Sequence, residues 1–285
     1  MSASVSAGDG KLHDLGYRKY TGPRRAGGEL WKVVARRGLR TSLRNWMVII
    51  VFVITFIIFG FMAAFLYVMT KAGAAFSKDL GADPSQMMLQ IARADQFLGE
   101  LVALIIGSSV LTDDFRTGAF AFYFSRPITR GAYLLGKLVP VAFVVGLVAL
   151  APTVLLRLEV FAIKGEAREL IPVTRAITQG LVATVALCAP AALISALVRR
   201  RILGMGAYFG LFSGTYIIAE VLNSALGARW PHHISIGKNI EIVTQWLYGQ
   251  PTEASPLVAA VLLLAISAGS LALAYRRLRR VDILE

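Results

Sequence analysis

Six apolar runs constrain the fold of this chain more than any other feature of its sequence. The first, at 46–70, contains no charged residue and is rich in Phe, Ile and Val. The other five lie at 96–112, 132–157, 173–198, 202–223 and 255–275. Most approach the roughly 20 residues that an α-helix needs to cross a bilayer. The pattern predicts an all-α membrane protein with six transmembrane helices.

The charge composition supports a membrane location. Of the 285 residues, 56% are hydrophobic and only 16% are charged, whereas soluble domains carry about 25% charged residues. A formal net charge of +13 would suggest nucleic acid as a partner of a soluble protein. Here the basic residues flank apolar runs, so we predict a lipid bilayer as the partner and no nucleic acid. The single cysteine, Cys188, cannot form an intrachain disulfide.

The distribution of Lys and Arg predicts one orientation for the whole chain. Basic residues concentrate in cytoplasmic segments of membrane proteins. With a cytoplasmic N-terminus, the dense clusters at 30–45, 116–137, 199–201 and 276–280 all fall inside, and both termini are cytoplasmic. The predicted organisation is a cytoplasmic segment 1–45, a six-span domain 46–275 with a cytoplasmic loop at 112–131, and a cytoplasmic tail 276–285.

Two segments outside the spans have helical patterns. In 30–45, basic residues recur every four positions, at Lys32, Arg36, Arg40 and Arg44. This indicates either an amphipathic helix at the membrane interface or an ordinary charged flank of the first span. The residues before it form a solvated tail or contact a partner or anionic lipid.

The long outer loop 223–254 is expected to hold one or two short helices at the outer membrane interface. Within 236–249, four residues are predicted to share one helical face: Ile240, Val243, Trp246 and Leu247. We expect Trp230, Trp246 and Tyr248 at headgroup depth.

A search for catalytic chemistry finds little. The segment 131–137 fits seven positions of a phosphate-binding loop, but Leu138 replaces the Mg²⁺-binding hydroxyl and no strand precedes it. The adjacent His232 and His233 favour a polar outer loop over a metal site. We therefore predict no catalytic residue, no metal and no nucleotide site. An intramembrane enzyme is a poorly supported alternative.

A few polar residues near the spans are candidates for a transport path. Ionisable groups are costly in a bilayer and are often functional. Glu100, Glu220 and Asn223 lie near the predicted outer ends of their spans. They either line a substrate path or outer gate, or make structural hydrogen bonds.

A ridge of glycines marks the fifth span. Gly206, Gly210 and Gly214 recur every four residues, a spacing that permits close approach of another membrane helix. The spacing alone leaves open whether that helix belongs to a second copy or to the same chain.

The segment 111–137 is the one long polar and aromatic stretch between apolar runs. It begins with Asp113 and Asp114, continues with Arg116, and has turn residues at Thr117-Gly118 and Ser125-Arg126-Pro127. We predict a cytoplasmic loop with a short helix that docks on another protein.

With its six spans and this loop, the chain resembles the permease subunit of an ABC-2 type bacterial transporter. Members of that family commonly show an acidic residue, a basic residue, a Thr-Gly or Gly-Thr pair, a short apolar helix, an S-R-P-[IV]-[ST]-R motif and a final Gly-Lys. The matching residues here are Asp113, Asp114, Arg116, Thr117, Gly118, Ser125, Arg126, Pro127, Ile128, Thr129, Arg130, Gly136 and Lys137. The Asp-Asp pair departs from the common Glu.

The resemblance implies a coupling helix that docks in a cleft of a separate cytoplasmic ATPase, which binds ATP and Mg²⁺ in place of this chain. The implied coupling residues are Asp113, Asp114, Phe115, Arg116, Thr117, Gly118, Ser125, Arg126 and Pro127. It also implies a second permease copy, paired near the fifth span, in the bacterial cytoplasmic (inner) membrane. We expect the transport to be export, and the few charges in the apolar runs favour an amphiphilic substrate such as a lipid, drug or peptide over a small ion. The alternative is a non-transporting ABC-type module that drives maturation of an envelope factor or metalloenzyme.

Overall fold

The computed structural model describes residues 29–79, 84–124 and 128–280. All regular elements in these ranges are helical, which confirms the predicted fold class. The α-helices are α1 (Leu30–Leu43), α2 (Trp46–Asp79), α3 (Pro84–Ile106), α4 (Thr112–Thr117), α5 (Phe120–Phe124), α6 (Arg130–Ala149), α7 (Ala151–Lys164), α8 (Leu170–Leu197), α9 (Arg201–Phe209), α10 (Thr215–Leu226), α11 (Ile236–Leu247) and α12 (Pro256–Arg279).

Among the described residues, six helical segments are long and apolar enough to cross a membrane, as the sequence predicted. They are Trp46–Lys71, Gln86–Thr117, Arg130–Ala149, Ala167–Leu197, Arg201–Leu226 and Pro256–Arg279. In the apolar part of the fourth segment 67% of the residues are buried inside the protein, whereas in the first segment only 17% are. Helix α8 is therefore the centre of the bundle, whereas α2 lies at its periphery.

The second span begins earlier in the chain than the predicted 96–112. Helix α3 begins at Pro84, and its first half carries polar residues that lower its hydropathy. These polar groups are satisfied inside the protein: Asp95 accepts hydrogen bonds from Thr153, and Arg93 pairs with Glu241 at 2.6 Å. Glu100 lies near the middle of the helical segment Gln86–Thr117.

The third apolar run, predicted as one span at 132–157, is divided between α6 and α7 at Leu150. Pro152 stands in the first turn of α7, where its missing N–H costs nothing. The Asp95 carboxylate accepts from the Thr153 backbone N–H (3.0 Å) and from its hydroxyl (2.5 Å). Asp95 thus satisfies donors that the start of a helix leaves without an intrahelical partner.

The fifth span is interrupted by a π-helical segment, Gly210–Gly214, between α9 and α10. A π-turn holds more residues than an α-turn. Two glycines of the predicted four-residue ridge, Gly210 and Gly214, therefore lie outside regular α-helical geometry.

The predicted N-terminal helix is present as α1, which packs along the first half of α6. At Gly136 an added Cβ atom would lie 2.9 Å from the Trp31 carbonyl oxygen and 2.9 Å from the Val34 Cβ. At Gly38 it would lie 3.0 Å from a ring carbon of Pro140. The two backbones approach closely because these positions lack side chains. The basic residues Lys32, Arg36 and Arg40 remain exposed.

On the other end of the bundle, the predicted short helices are a 3₁₀ turn, Trp230–Ile234, and α11. Helix α11 packs against α8 and α12. Ile240 and Val243 are buried, whereas Trp246 is 59% exposed. Trp246 therefore does not lie on the buried side of α11 with them, and the polar Asn239, Thr244 and Gln245 are buried instead.

Candidate functional site

The loop between the second and third spans folds into two short helices, α4 and α5. They are separated by Gly118, whose φ of 65° lies in the left-handed region that favours glycine. Its N–H bonds the Asp114 carbonyl and so ends α4. After α5, Thr129 starts α6 because its hydroxyl accepts a hydrogen bond from the Ala132 N–H at 3.2 Å. The turn predicted at Thr117-Gly118 is therefore present.

Asp114 anchors this loop to the third span. Its carboxylate accepts a hydrogen bond from the Tyr133 hydroxyl and lies 2.5 Å from the Lys137 ammonium. Both partners lie on α6, and all three side chains are largely shielded from solvent. Such a charge-assisted cluster fixes α4 relative to α6.

Aromatic side chains fill the space beneath the two short helices. The Phe120 ring lies 4.6 Å from Phe115 and 5.7 Å from Tyr133, measured between centroids, in edge-to-face arrangements. The end of α12 completes this cluster, because the Arg277 guanidinium lies 6.0 Å from the Phe115 ring and Leu278 is fully buried there. The loop therefore rests on both α6 and α12.

The outward side of the loop carries a different set of residues. The side chains of Asp113 and Arg116 are each 64% exposed and lie 3.5 Å apart across one helical turn. Phe122 is 68% exposed. The candidate coupling residues thus divide in two: Asp113 and Arg116 face outward, whereas Asp114 and Phe115 hold the loop in place. The candidates Ser125, Arg126 and Pro127, like the tail 1–28, lie outside the described residues.

A second charged cluster lies at the opposite end of the bundle, around Lys238 of α11. The Lys238 ammonium lies 2.7 Å from a Glu220 carboxylate oxygen, 3.5 Å from Glu241 and 3.6 Å from Glu253. Burial alone would lower the pKa of Lys238, but the hydrogen bond to Glu220 and the charges of Glu241 and Glu253 outweigh it and raise that pKa. Lys238 therefore stays charged and ties α11 to α10.

This cluster gives Glu220 a partner that sequence reasoning missed. Neighbouring Asn223 is half-buried, and its carbonyl accepts the Gly227 N–H at 2.9 Å where α10 ends. Glu100 is also half-buried. The structure brings Glu220 and Asn223 together on one helix and leaves Glu100 on α3.

The predicted glycine ridge faces open space. A Cβ atom added at Gly206, Gly210 or Gly214 would meet no atom of the described chain within 4 Å. Packing within the chain is instead made by Gly204, where an added Cβ would lie 2.7 Å from the Ser108 carbonyl oxygen. Sequence reasoning passed over Gly204 because it does not fit the four-residue repeat.

Tyr133, Lys137 and Lys238 were likewise not identified as site partners from sequence. Lys137 and Tyr133 lie one turn apart on α6, which was the only available signal that they share a face. Within the described ranges, no group of three or more His, Cys, Asp or Glu residues is arranged to hold a metal ion.

Six apolar helical segments and a folded polar loop between two of them define a multi-pass membrane protein. The chain belongs to the ABC-2 family of transporter proteins, because the model of that family matches residues 32–283. It is thus a transmembrane component of the ABC type and not a nucleotide-binding domain, and permeases of this family generally work with a cytoplasmic ATPase. A search of curated proteins found no match.

Proposed function

We propose that this chain forms the transmembrane pathway of an ABC transporter and couples to a separate cytoplasmic ATPase through α4 and α5. One observation carries the proposal: an exposed acidic and basic pair, Asp113 and Arg116, stands on a short helix whose inner side is locked to two spans. Exposed charges give specificity to docking. Because α4 is held firmly against α6 and α12, rigid-body motion of the partner can be transmitted through α4 to the spans.

The proposed placement is the bacterial cytoplasmic (inner) membrane, with both termini and the α4–α5 loop in the cytoplasm. The positive-inside rule supports it, because the dense basic clusters at 199–201 and 276–280 lie on the same side as the loop. The Lys238 cluster then lies at the outer end. We propose an amphiphilic substrate moved outward, since few charges lie in the spans, with Glu100, Glu220 and Asn223 along the path or its outer gate.

We further propose that two copies of the chain pair through the fifth span. The open glycine face supports this, because small residues permit close approach of membrane helices. Gly210→Leu should abolish disulfide crosslinking between copies carrying a cysteine at Ser213. Gly269→Leu in α12, where an added Cβ also meets no neighbouring atom, is the matched control and should leave crosslinking unchanged. Unchanged crosslinking in Gly210→Leu would contradict pairing through this face.

The docking proposal is tested with Asp113→Ala/Arg116→Ala. We expect at least a tenfold weaker association with the ATPase that co-purifies with the chain, with normal insertion into the membrane. The control removes another exposed ion pair, Glu166→Ala/Arg168→Ala, which lies between α7 and α8. Normal assembly and normal coupled activity in the Asp113/Arg116 variant would refute the docking role.

The transport proposal needs a separate measurement on vesicles that contain the whole complex. ATP-dependent movement of lipid or amphiphilic solute across the vesicle membrane is the expected result. ATP hydrolysis that never moves any solute or lipid would instead favour the non-transporting maturation module.

A further inference from the structure

A cavity of about 510 Å³ separates α1 from the α4–α5 loop. Its walls come from α1, the inner end of α3, the loop itself and the first half of α6. It borders the outward docking surface, because Asp113 lines it and Arg116 does not. The close contacts between α1 and α6 at Gly136 and Gly38 define one of its edges.

The cavity has a surplus of positive charge. Three cations line it, Arg37, Lys137 and Arg201, together with the carboxylates of Asp113 and Asp114. Both carboxylates already have counter-ions: Asp114 pairs with Lys137, and Asp113 with Arg116. The two arginines are therefore the charges that remain uncompensated.

The two arginines are able to bind an anion. The Arg37 guanidinium makes no ion pair with a described residue, and the residue is exposed. Arg201 donates one hydrogen bond, from Nη2 to the Ile105 carbonyl at 3.0 Å. A guanidinium has five N–H donors, so Arg201 retains most of them. Planar guanidinium groups match the oxygens of a phosphate.

The rest of the lining is suited to a lipid rather than to a soluble anion. Hydroxyl and amide groups of Thr41, Ser42 and Asn45 lie on the α1 side. Two apolar lining residues, Ile106 and Val141, belong to membrane-spanning segments. The lining thus combines cationic and hydroxyl groups with apolar side chains of the spans, and a phospholipid combines a charged headgroup with acyl chains.

We infer that this cavity binds one anionic phospholipid of the inner leaflet, with its phosphate between Arg37 and Arg201 and the start of its acyl chains against Val33 and Val141. The occupant is chosen by charge complementarity and by continuity of the cavity with the apolar spans. The lipid fills the space between α1 and the α4–α5 loop and so supports the loop from the membrane side. This inference goes beyond the proposed function and does not require ATPase docking.

The test measures lipid retention by native mass spectrometry on the full chain. The protein is released from membranes containing equal amounts of phosphatidylglycerol and phosphatidylcholine. Wild type should retain one phosphatidylglycerol per chain in preference to phosphatidylcholine. Arg37→Gln should reduce this preference about tenfold, because it removes a charge-assisted hydrogen bond to the phosphate.

The matched control is Arg36→Gln, which removes an equal charge from the next position of α1 but does not line the cavity. It should retain the lipid as wild type does. Equal losses in Arg36→Gln and Arg37→Gln would show general attraction to the helix surface and overturn the inference. Absence of any preference in wild type would overturn it as well.

Two further experiments test whether the cavity binds a soluble phosphate or a protein segment instead of a lipid. Glycerol 3-phosphate at millimolar concentration should not displace the lipid; displacement would identify a site for a soluble phosphate and overturn the lipid assignment. Addition of the ATPase subunit should leave the lipid in place. Displacement by the ATPase would show that the cavity receives a protein segment in the assembled complex, which would also overturn it.

Discussion

The two ends of the bundle each carry a buried charge, but with opposite sign and different access to water. At one end Asp114 is held between Tyr133 and Lys137, and both partners are shielded. At the other end Lys238, with a side chain 7% exposed, faces Glu220 and Glu253, which are 41% and 47% exposed. The members of the first cluster are shielded, although Asp114 and Lys137 border the cavity beside α1, whereas two carboxylates of the second cluster are exposed.

Because of this difference, the Asp114 cluster should cost more free energy to break than the Lys238 cluster. When a shielded pair loses one member, the other is left as an uncompensated buried charge at a cost of several kcal/mol. Partners that already contact water are resolvated when the pair breaks, so the loss is small. The Asp114 cluster is therefore suited to hold α4 on α6 permanently. The Lys238 cluster can separate α11 from α10 at modest cost.

The largest effect is expected for Asp114→Ala. It leaves the Lys137 ammonium and the Tyr133 hydroxyl without their shared partner, and we expect a loss of about 3 kcal/mol in stability. Thermal unfolding of the protein in detergent measures this. Asp113→Ala, which removes the adjacent exposed carboxylate, is the control and should change stability by less than about 0.5 kcal/mol. Equal effects of the two substitutions would contradict the anchor.

A smaller effect is expected for Lys238→Met, which preserves much of the side-chain volume. After this substitution Glu241 keeps its ion pair with Arg93, and the exposed carboxylates of Glu220 and Glu253 become hydrated. We expect a loss of about 1 kcal/mol, discounted for the exposure of those carboxylates. The same unfolding measurement applies, and a loss as large as that in Asp114→Ala would show that the outer cluster is not hydrated.

The smallest effect concerns pH. Because the pKa of Lys238 is raised above its ordinary value of 10.5, its contribution is fully present below that value and is lost as pH rises through the folded-state pKa. The stability difference between wild type and Lys238→Met should therefore be constant from about pH 6 to 9. A difference that shrinks within this range would mean that burial, and not the carboxylates, controls Lys238.

The six spans and the short loop helix were predictable because each rests on local pattern: long apolar runs, turn residues and clustered basic flanks. The division of the third span was not predictable, since the Asp95 carboxylate that caps α7 lies 58 residues from Thr153 in sequence. The different roles of Asp113 and Asp114 were also hidden. Two adjacent aspartates look alike until the fold places one against Lys137 and the other in solvent.

The break between α6 and α7 at Leu150 bears on how movement of the α4–α5 loop would be transmitted to the rest of the bundle. Helix α6 begins directly after the loop and ends at Ala149, and α7 starts anew under the Asp95 cap. Two helices joined at such a break bend at the break more easily than they move together along one axis. We expect movement applied at the loop end of α6 to become tilt about Leu150, because the Asp95 hydrogen bonds to Thr153 hold the start of α7 to α3.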